Sequence, residues 1–180
     1  MEIITVKDKA FKPYITEEEI KSSVVKMAAQ INTDYKGSEP LFLGVLNGSF
    51  MFFSDLLKLV DLKCKVSFVK LASYEGTSAS GMVNELIGLS ESIDGKDVII
   101  VEDIVDTGNT LGKLYDILSK GKPKSLKIAT LLYKPEAYTK EYPIDYVGLE
   151  IPKTFVLGYG LDYDGLGRNL SSIYVLNESK

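Results

Sequence analysis

Glu102, Asp103 and Asp106 fall within one short run that continues directly into Thr107, Gly108, Asn109 and Thr110. Ionised carboxylates accept hydrogen bonds from vicinal hydroxyls or from metal-bound water, and they repel phosphate. The residues that follow suit the opposite task. If they open a helix, the backbone N–H groups of Asp106 to Thr110 are unpaired donors at a partly positive terminus, and the Thr107 and Thr110 hydroxyls can join them around an anion. Gly108 removes the Cβ that would hold the backbone away from such an anion. Acids at one end and amides at the other fit a ribose 5-phosphate. A solvated acidic loop capping a helix would explain any one of these residues, but it does not explain the string.

Such a string works only if flanking elements hold it. Val98 to Val101 is an unbroken β-branched run, as expected of a strand covered on both faces in a parallel sheet. Leu111, Leu114, Tyr115 and Leu118 recur at helical spacing, with Gly121 and Pro123 as stop signals. The acidic pair therefore ends a strand, and the loop precedes a helix. Thr16 and Glu19 form a capping-box signature with Ile15 and Ile20 as its hydrophobic staple, which predicts a helix to about Ile31. Leu41 to Leu46 reads as a strand, Phe50 to Val60 as a helix, and Val66 to Leu71 as the next strand. Met82 to Leu89 is expected to pair antiparallel to it, and the small, polar residues between them form a mobile loop over 73–81. Later strands fall at 126–132, 146–149, 155–158 and 173–176. The fold class is α/β, an open, mainly parallel twisted sheet flanked by helices, which binds ligands at the carboxyl ends of its strands. Asn47 and Gly48 fall at such an end and form a second candidate anion cradle, though Asn-Gly-Ser is also an ordinary turn.

A chain of 180 residues is expected to form a single domain over 1–180 with a real core. Hydrophobic residues at 45% and charged residues at 26% argue against disorder. A net charge of −4 without a basic run disfavours nucleic acid as a partner. The lone Cys64 excludes an intrachain disulfide and points to a reducing cytoplasm. No apolar run approaches the ~20 residues of a membrane span, and no signal segment is evident. Gly158, Gly160, Gly165 and Gly167 do not make a dinucleotide fingerprint, because the spacing is wrong.

Val101-Glu-Asp-Ile-Val-Asp-Thr-Gly-Asn-Thr-Leu111 closely resembles the phosphoribosyl-pyrophosphate motif of the type I phosphoribosyltransferases, in particular their hypoxanthine-guanine branch. Gly44-Val-Leu-Asn-Gly-Ser-Phe-Met-Phe52 is similar to that branch's pyrophosphate loop, and Leu71-Ala-Ser-Tyr-Glu-Gly76 to the start of its mobile loop. Leu131-Leu-Tyr-Lys-Pro135 resembles its purine-contacting strand. Ile151 to Tyr163, with Arg168, resembles the segment closing over the base, expected here over 150–172 as part of a small hood built from terminal segments.

The resemblance implies magnesium-dependent transfer of a 5-phosphoribosyl group to hypoxanthine in purine salvage, with guanine left open as a second acceptor. It implies ribose and phosphate contacts from Glu102, Asp103, Asp106, Thr107, Gly108, Asn109 and Thr110, with Asp106 as the general base. Asn47, Gly48 and Arg168 would contact pyrophosphate, and Ser73 and Tyr74 would form the lid. Lys134, Phe155, Val156 and Asp162 would line the purine site: Lys134 donates to a 6-oxo group, Phe155 stacks and the Val156 backbone reads the edge. Glu102, Asp103 and Asp162 would hold magnesium. The Leu46–Asn47 peptide can be cis in such proteins, and a homodimer or homotetramer is implied. The chain departs from the family pattern at Asn47, where many relatives carry a basic residue, and at Gly165 and Gly167, which loosen the turn before Arg168. Two alternatives stay open from residues alone: a transferase acting on adenine, xanthine or a pyrimidine, and a non-catalytic regulator that senses the sugar donor and binds RNA or DNA.

Overall fold

A computed structural model describes residues 2–74, 83–89 and 91–177, with the backbone alone for 72–74 and 83–87. The elements in chain order are β1 (Ile4–Val6), β2 (Lys9–Ile15), α1 (Glu17–Asp34), β3 (Leu41–Val45), α2 (Phe50–Leu57), β4 (Lys65–Tyr74), β5 (Val83–Ile87), β6 (Asp97–Val105), α3 (Asn109–Ser119), β7 (Ser125–Tyr133), β8 (Tyr146–Glu150), β9 (Val156–Leu157) and β10 (Ile173–Leu176).

The main sheet has six strands in the order β5-β4-β3-β6-β7-β8. Its strands run parallel except β5, which pairs antiparallel with β4 as expected. Strand order reverses direction between β3 and β6, and in open α/β sheets that switch point is where a crevice opens for ligand. The side-chain period of two splits β6 between two cores. Val98 and Ile100 pack with Leu111, Leu114 and Leu118 of α3, whereas Ile99 and Val101 pack with Phe52, Phe53 and Leu56 of α2 and with α1. Helix α1 starts as predicted: Glu19 N–H donates to Thr16 Oγ1 at 3.1 Å and Thr16 N–H to Glu19 Oε2 at 2.8 Å, with Ile15 and Ile20 buried beside the cap.

Around the acidic loop two boundaries differ from the sequence reading, and α2 ends at Leu57 rather than Val60. Strand β6 does not end at the acidic pair but continues to Val105. Its pairing with β3 stops at Val101, while pairing with β7 continues through Glu102, Ile104 and Val105. The acids thus sit inside a strand that has lost one neighbour. Helix α3 begins at Asn109, one residue earlier than expected, with Gly108 as its N-cap at φ 78°.

The hood is a second, four-stranded antiparallel sheet in the order β1-β2-β10-β9, built from the two ends of the described chain. Strands β1 and β2 were not apparent in the sequence, because Pro13 interrupts the alternation of Lys9–Ile15 and argues against a strand. Proline is tolerated because β1 pairs only with Lys9 to Phe11. Past that point β2 has one neighbour, β10, and a bulge there shifts the register.

Candidate active site

The gap left where β6 parts from β3 is filled by the loop after β3. The Leu46–Asn47 peptide is cis, and Gly48 lies directly against Asp103. A Cβ on Gly48 would fall 1.5 Å from Asp103 Oδ2, so only glycine allows this approach. Behind it, a Cβ on Gly160 would meet the Gly48 carbonyl oxygen at 2.0 Å, and Gly160 has φ 98°. The Asp103 side chain, the loop after β3 and the loop after β9 are therefore stacked against one another at Gly48. Asp103 is buried; its Oδ1 accepts the Ile104 N–H at 2.8 Å. Glu102 lines the crevice beside it, and its Oε2 is buried with no partner. Burial, the adjacent Asp103 charge and the hydrogen bond between the two acids push Glu102 well above the usual carboxylate range. Burial also raises Asp103, against opposing hydrogen bonds from Ile104 and Glu102. Two acids forced together with an orphan oxygen are what a cation or a pair of hydroxyls would relieve.

Glu102 and the residues from Ile104 to Leu111 line a cavity of about 240 Å³. Asp106, Thr107, Gly108, Asn109 and Thr110 all contribute, whereas Asp103 does not. No side chain caps α3, so its first N–H groups remain available, apart from a long 3.4 Å contact from Asn109 N–H to Thr107 Oγ1. The loop is buttressed from outside. Thr139 donates to the Thr107 carbonyl through its N–H at 3.3 Å and its hydroxyl at 3.2 Å, and the Tyr138 ring fills the space beside Gly108. These supports carry no motif that sequence reading could have used.

Lys134 and Asp106 are brought together. Lys134 Nζ donates to Asp106 Oδ2 at 2.6 Å, with the lysine side chain 8% exposed and the aspartate 43%. Both stand at the ends of adjacent strands, β7 and β6, and the Lys134 N–H extends the ladder to the Val105 carbonyl at 3.0 Å. Lys134 also lines a larger open groove of about 760 Å³ with Phe155, Lys12, Tyr14 and Lys153. Phe155 is 43% exposed, while Val156 is buried in β9 and pairs with Val175.

Asp162 and Arg168 pair with each other at 2.7 Å. Asp162 Oδ2 also accepts the Gly165 N–H at 2.7 Å, and Arg168 Nη1 donates to the Gly160 carbonyl at 2.7 Å. Both acceptor oxygens of Asp162 are therefore engaged within its own loop. Ser73 and Tyr74 end β4, but their side chains and the rest of the expected lid over 75–81 lie outside the described residues. Among the described residues, no group of three or more His, Cys, Asp or Glu gathers as a metal cage, and no helix is long and apolar enough to cross a membrane.

A family model described as "Phosphoribosyl transferase domain" matches residues 15–164. The chain belongs to that family. A protein of Listeria monocytogenes named "Bifunctional protein TilS/HprT" is 42% identical over 166 residues, covering 92% of this chain; the chain spans only 26% of that relative's length. The Escherichia coli protein named "Hypoxanthine phosphoribosyltransferase" is 46% identical over 162 residues, with 88% of this chain and 91% of the relative covered. A Bacillus anthracis hypoxanthine-guanine phosphoribosyltransferase crystal structure superposes with a TM-score of 0.82 at 37% identity, covering 92% of this chain and 97% of that one. The family read from the motifs and the mainly parallel sheet expected of it are both borne out. The cradle after β3, the acidic strand, Lys134 and Asp162 lie within the matched span, whereas Arg168 lies beyond it.

Proposed function

We propose that this chain transfers a 5-phosphoribosyl group from phosphoribosyl pyrophosphate to a ring nitrogen of hypoxanthine, and of guanine to an extent that assay must fix, giving IMP or GMP and pyrophosphate in purine salvage. The observation that carries this reading is the Lys134–Asp106 pair at 2.6 Å. A 6-oxopurine presents its O6 and N7 side by side on one edge, as guanine does in the major groove. An ammonium donor beside a carboxylate acceptor complements that edge when N7 carries a proton: Lys134 donates to O6 and Asp106 accepts from N7. Adenine offers an amino donor where Lys134 also donates, so it is disfavoured.

In this reading the C1–O bond to pyrophosphate breaks with oxocarbenium character as the base nitrogen bonds to C1, and the N7 proton passes to Asp106. Amides of the first turn of α3 and the Thr107 and Thr110 hydroxyls hold the 5-phosphate, while Glu102 accepts from the ribose hydroxyls. Asn47 and Gly48 amides and Arg168 face the departing pyrophosphate, and the lid carrying Ser73 and Tyr74 excludes water. Phe155 stacks on the base, with the Val156 backbone at its edge. Glu102, whose Oε2 lacks a partner, and Asp103 beside it would hold a magnesium ion, which bound there would supply charge neutralisation for the leaving group; Asp162, expected as a further ligand, instead has both oxygens engaged within its own loop and is not gathered with that pair. Asp103, turned toward Gly48, would act on that ion and on the pyrophosphate loop rather than on the ribose directly.

The lone Cys64 supports a cytoplasmic setting. A homodimer or homotetramer is supported by exposed apolar surface: Val66 and Phe68 on one face of β4, and Phe50 one turn before Phe53, which packs on Phe68. Release of pyrophosphate on mixing the protein with hypoxanthine, the sugar donor and magnesium tests the reaction. A panel containing adenine, guanine and xanthine tests the base. No release with any 6-oxopurine sinks the reading.

A further inference from the structure

Tyr163 lies between two groups of the proposed site and touches structure on both sides. Its ring meets Phe155 edge-on, with centroids 5.9 Å apart and planes at 84°, and it lies 6.0 Å from the buried ring of Phe11, which is itself 6.1 Å from Phe155. It directly follows Asp162, and its backbone bonds reciprocally with Leu166 at 3.0 and 3.2 Å, closing the turn that brings Arg168 back to Asp162. That turn contains Asp164 at φ 50°, Gly165 at φ 81° and Gly167 at φ 92°, so its own sequence supplies little stiffness. Stiffness comes instead from the tip of the β1–β2 hairpin. The Tyr163 hydroxyl donates to Asp8 Oδ1 at 2.8 Å, Lys9 Nζ sits 4.7 Å from the Tyr163 ring centroid, and Lys7 pairs with Asp164. Within the described residues, these contacts tie a glycine-rich loop to a part of the chain about 155 residues away.

We infer that Tyr163, latched by Asp8 and Lys9, is a positioning residue that holds the base-stacking ring Phe155 and the Asp162–Arg168 pair in register. The inference rests on the proposed function for the roles of Phe155, Asp162 and Arg168. It gives the hydroxyl and the ring separate tasks. The hydroxyl, through Asp8, fixes the loop that carries the pyrophosphate contacts. The ring, through Phe155, fixes the wall of the base pocket. If Tyr163 were only hood packing, losing its hydroxyl would lower stability without selecting one substrate.

Steady-state kinetics on the full chain, with each substrate varied at saturation of the other and thermal unfolding followed alongside, separates these accounts. Tyr163→Phe and Asp8→Ala should each raise KM for the sugar donor about 5-fold and leave KM for hypoxanthine and kcat unchanged, as loss of one indirect hydrogen bond to a charged group allows. The double variant should do no more than either single one, because both remove the same contact. Tyr163→Leu should raise both KM values, by about 10-fold for hypoxanthine, since it removes the aromatic edge that sets Phe155. Should Tyr163→Leu fail to fold, the Tyr163→Phe and Asp8→Ala pair carries the test. An active wild-type protein whose variants keep both KM values, or lose only kcat in step with thermal stability, overturns this inference alone. A wild-type protein that forms no nucleotide overturns the proposed function and this inference with it.

Discussion

The site contains two ion pairs of similar length mounted in different ways. Lys134–Asp106, at 2.6 Å, stands on the ends of neighbouring parallel strands. Asp162–Arg168, at 2.7 Å, stands on a hood loop in which Tyr159, Gly160, Asp164, Gly165 and Gly167 all have positive φ. In the first, the sheet ladder fixes the distance and burial of the lysine keeps water from competing. In the second, both partners are 29% exposed, and the geometry depends on contacts from elsewhere: Gly160 against Gly48, Tyr159 to α2, and Tyr163 to Asp8 of the β1–β2 hairpin. A pair held by strands can read an edge of a flat ring. A pair held by a loop suits a group that must arrive with the donor and leave as product.

The largest expected effect breaks the sheet-mounted pair. Asp106→Asn should lower kcat for nucleotide formation by about 10²-fold or more, the ordinary worth of a general base, while calorimetry still detects donor binding. Unchanged turnover would remove Asp106 from the chemistry. The same variant leaves the Lys134 ammonium without its carboxylate, so thermal unfolding should be followed to separate catalysis from stability.

Gly160→Ala attacks the mounting of the other pair. The added methyl would have to displace the Gly48 carbonyl, and alanine is strained at this φ, so a loss of about 2–4 kcal/mol is expected, lowering Tm by roughly 5–15 °C. The affinity for pyrophosphate should fall before the affinity for the base. A variant with wild-type Tm would show that the hood and the loop after β3 are not in contact in solution.

Lys134→Gln keeps a donor but removes the charge, and should raise KM for hypoxanthine by about 10-fold while narrowing the preference over adenine. Equal loss for both bases would mean that Lys134 supports the fold of the site rather than reading the base.

The two regions also differed in how far the sequence disclosed them. The β-branched run of β6, the helical stripe of α3 and the capping box of α1 are local signals, so the sheet, its helices and the acidic loop were all legible. Pro13 hid β2 because proline speaks against a strand wherever its free edge cannot be foreseen. The acidic pair was read as the end of β6, which runs on to Val105, since the end of a strand toward one neighbour but not the other is a property of the sheet and not of the residues. The Lys134–Asp106 pair joins positions 28 residues apart and has no local signature, although each residue was singled out by its motif. Tyr159 and Tyr163 were missed as supports for the same reason: nothing about a tyrosine near a glycine states which distant carboxylate it will meet, and Tyr138 and Thr139 likewise give no local sign that they will pack on the loop around Gly108. Gly160 was weighed only as part of a failed dinucleotide pattern, when its use is to let two backbones touch.

The smallest effect concerns Tyr159, which begins the hood loop at φ 48° and donates to Asp55 Oδ2 of α2 at 2.6 Å. Burial acts to raise the Asp55 carboxyl, but hydrogen bonds from Lys58 and Tyr159 outweigh it and hold the group below its ordinary value of 3.8. A carboxyl depressed in the folded state adds stability that is complete above its unfolded value and is lost as pH falls through the folded one. Asp55→Asn should therefore cost little at neutral pH, under about 1 kcal/mol because the carboxylate is partly exposed, and the difference in Tm from wild type should shrink as pH is lowered from about 6 to 3. The sheet-mounted pair has no stake in this anchor. If the latch matters to the site, KM for the sugar donor in Asp55→Asn should rise by less than about 3-fold with hypoxanthine KM unmoved, since Tyr159 still reaches an amide oxygen. A Tm difference that grows on acidification would reverse the sign argued here and assign Asp55 a partner other than Tyr159 and Lys58.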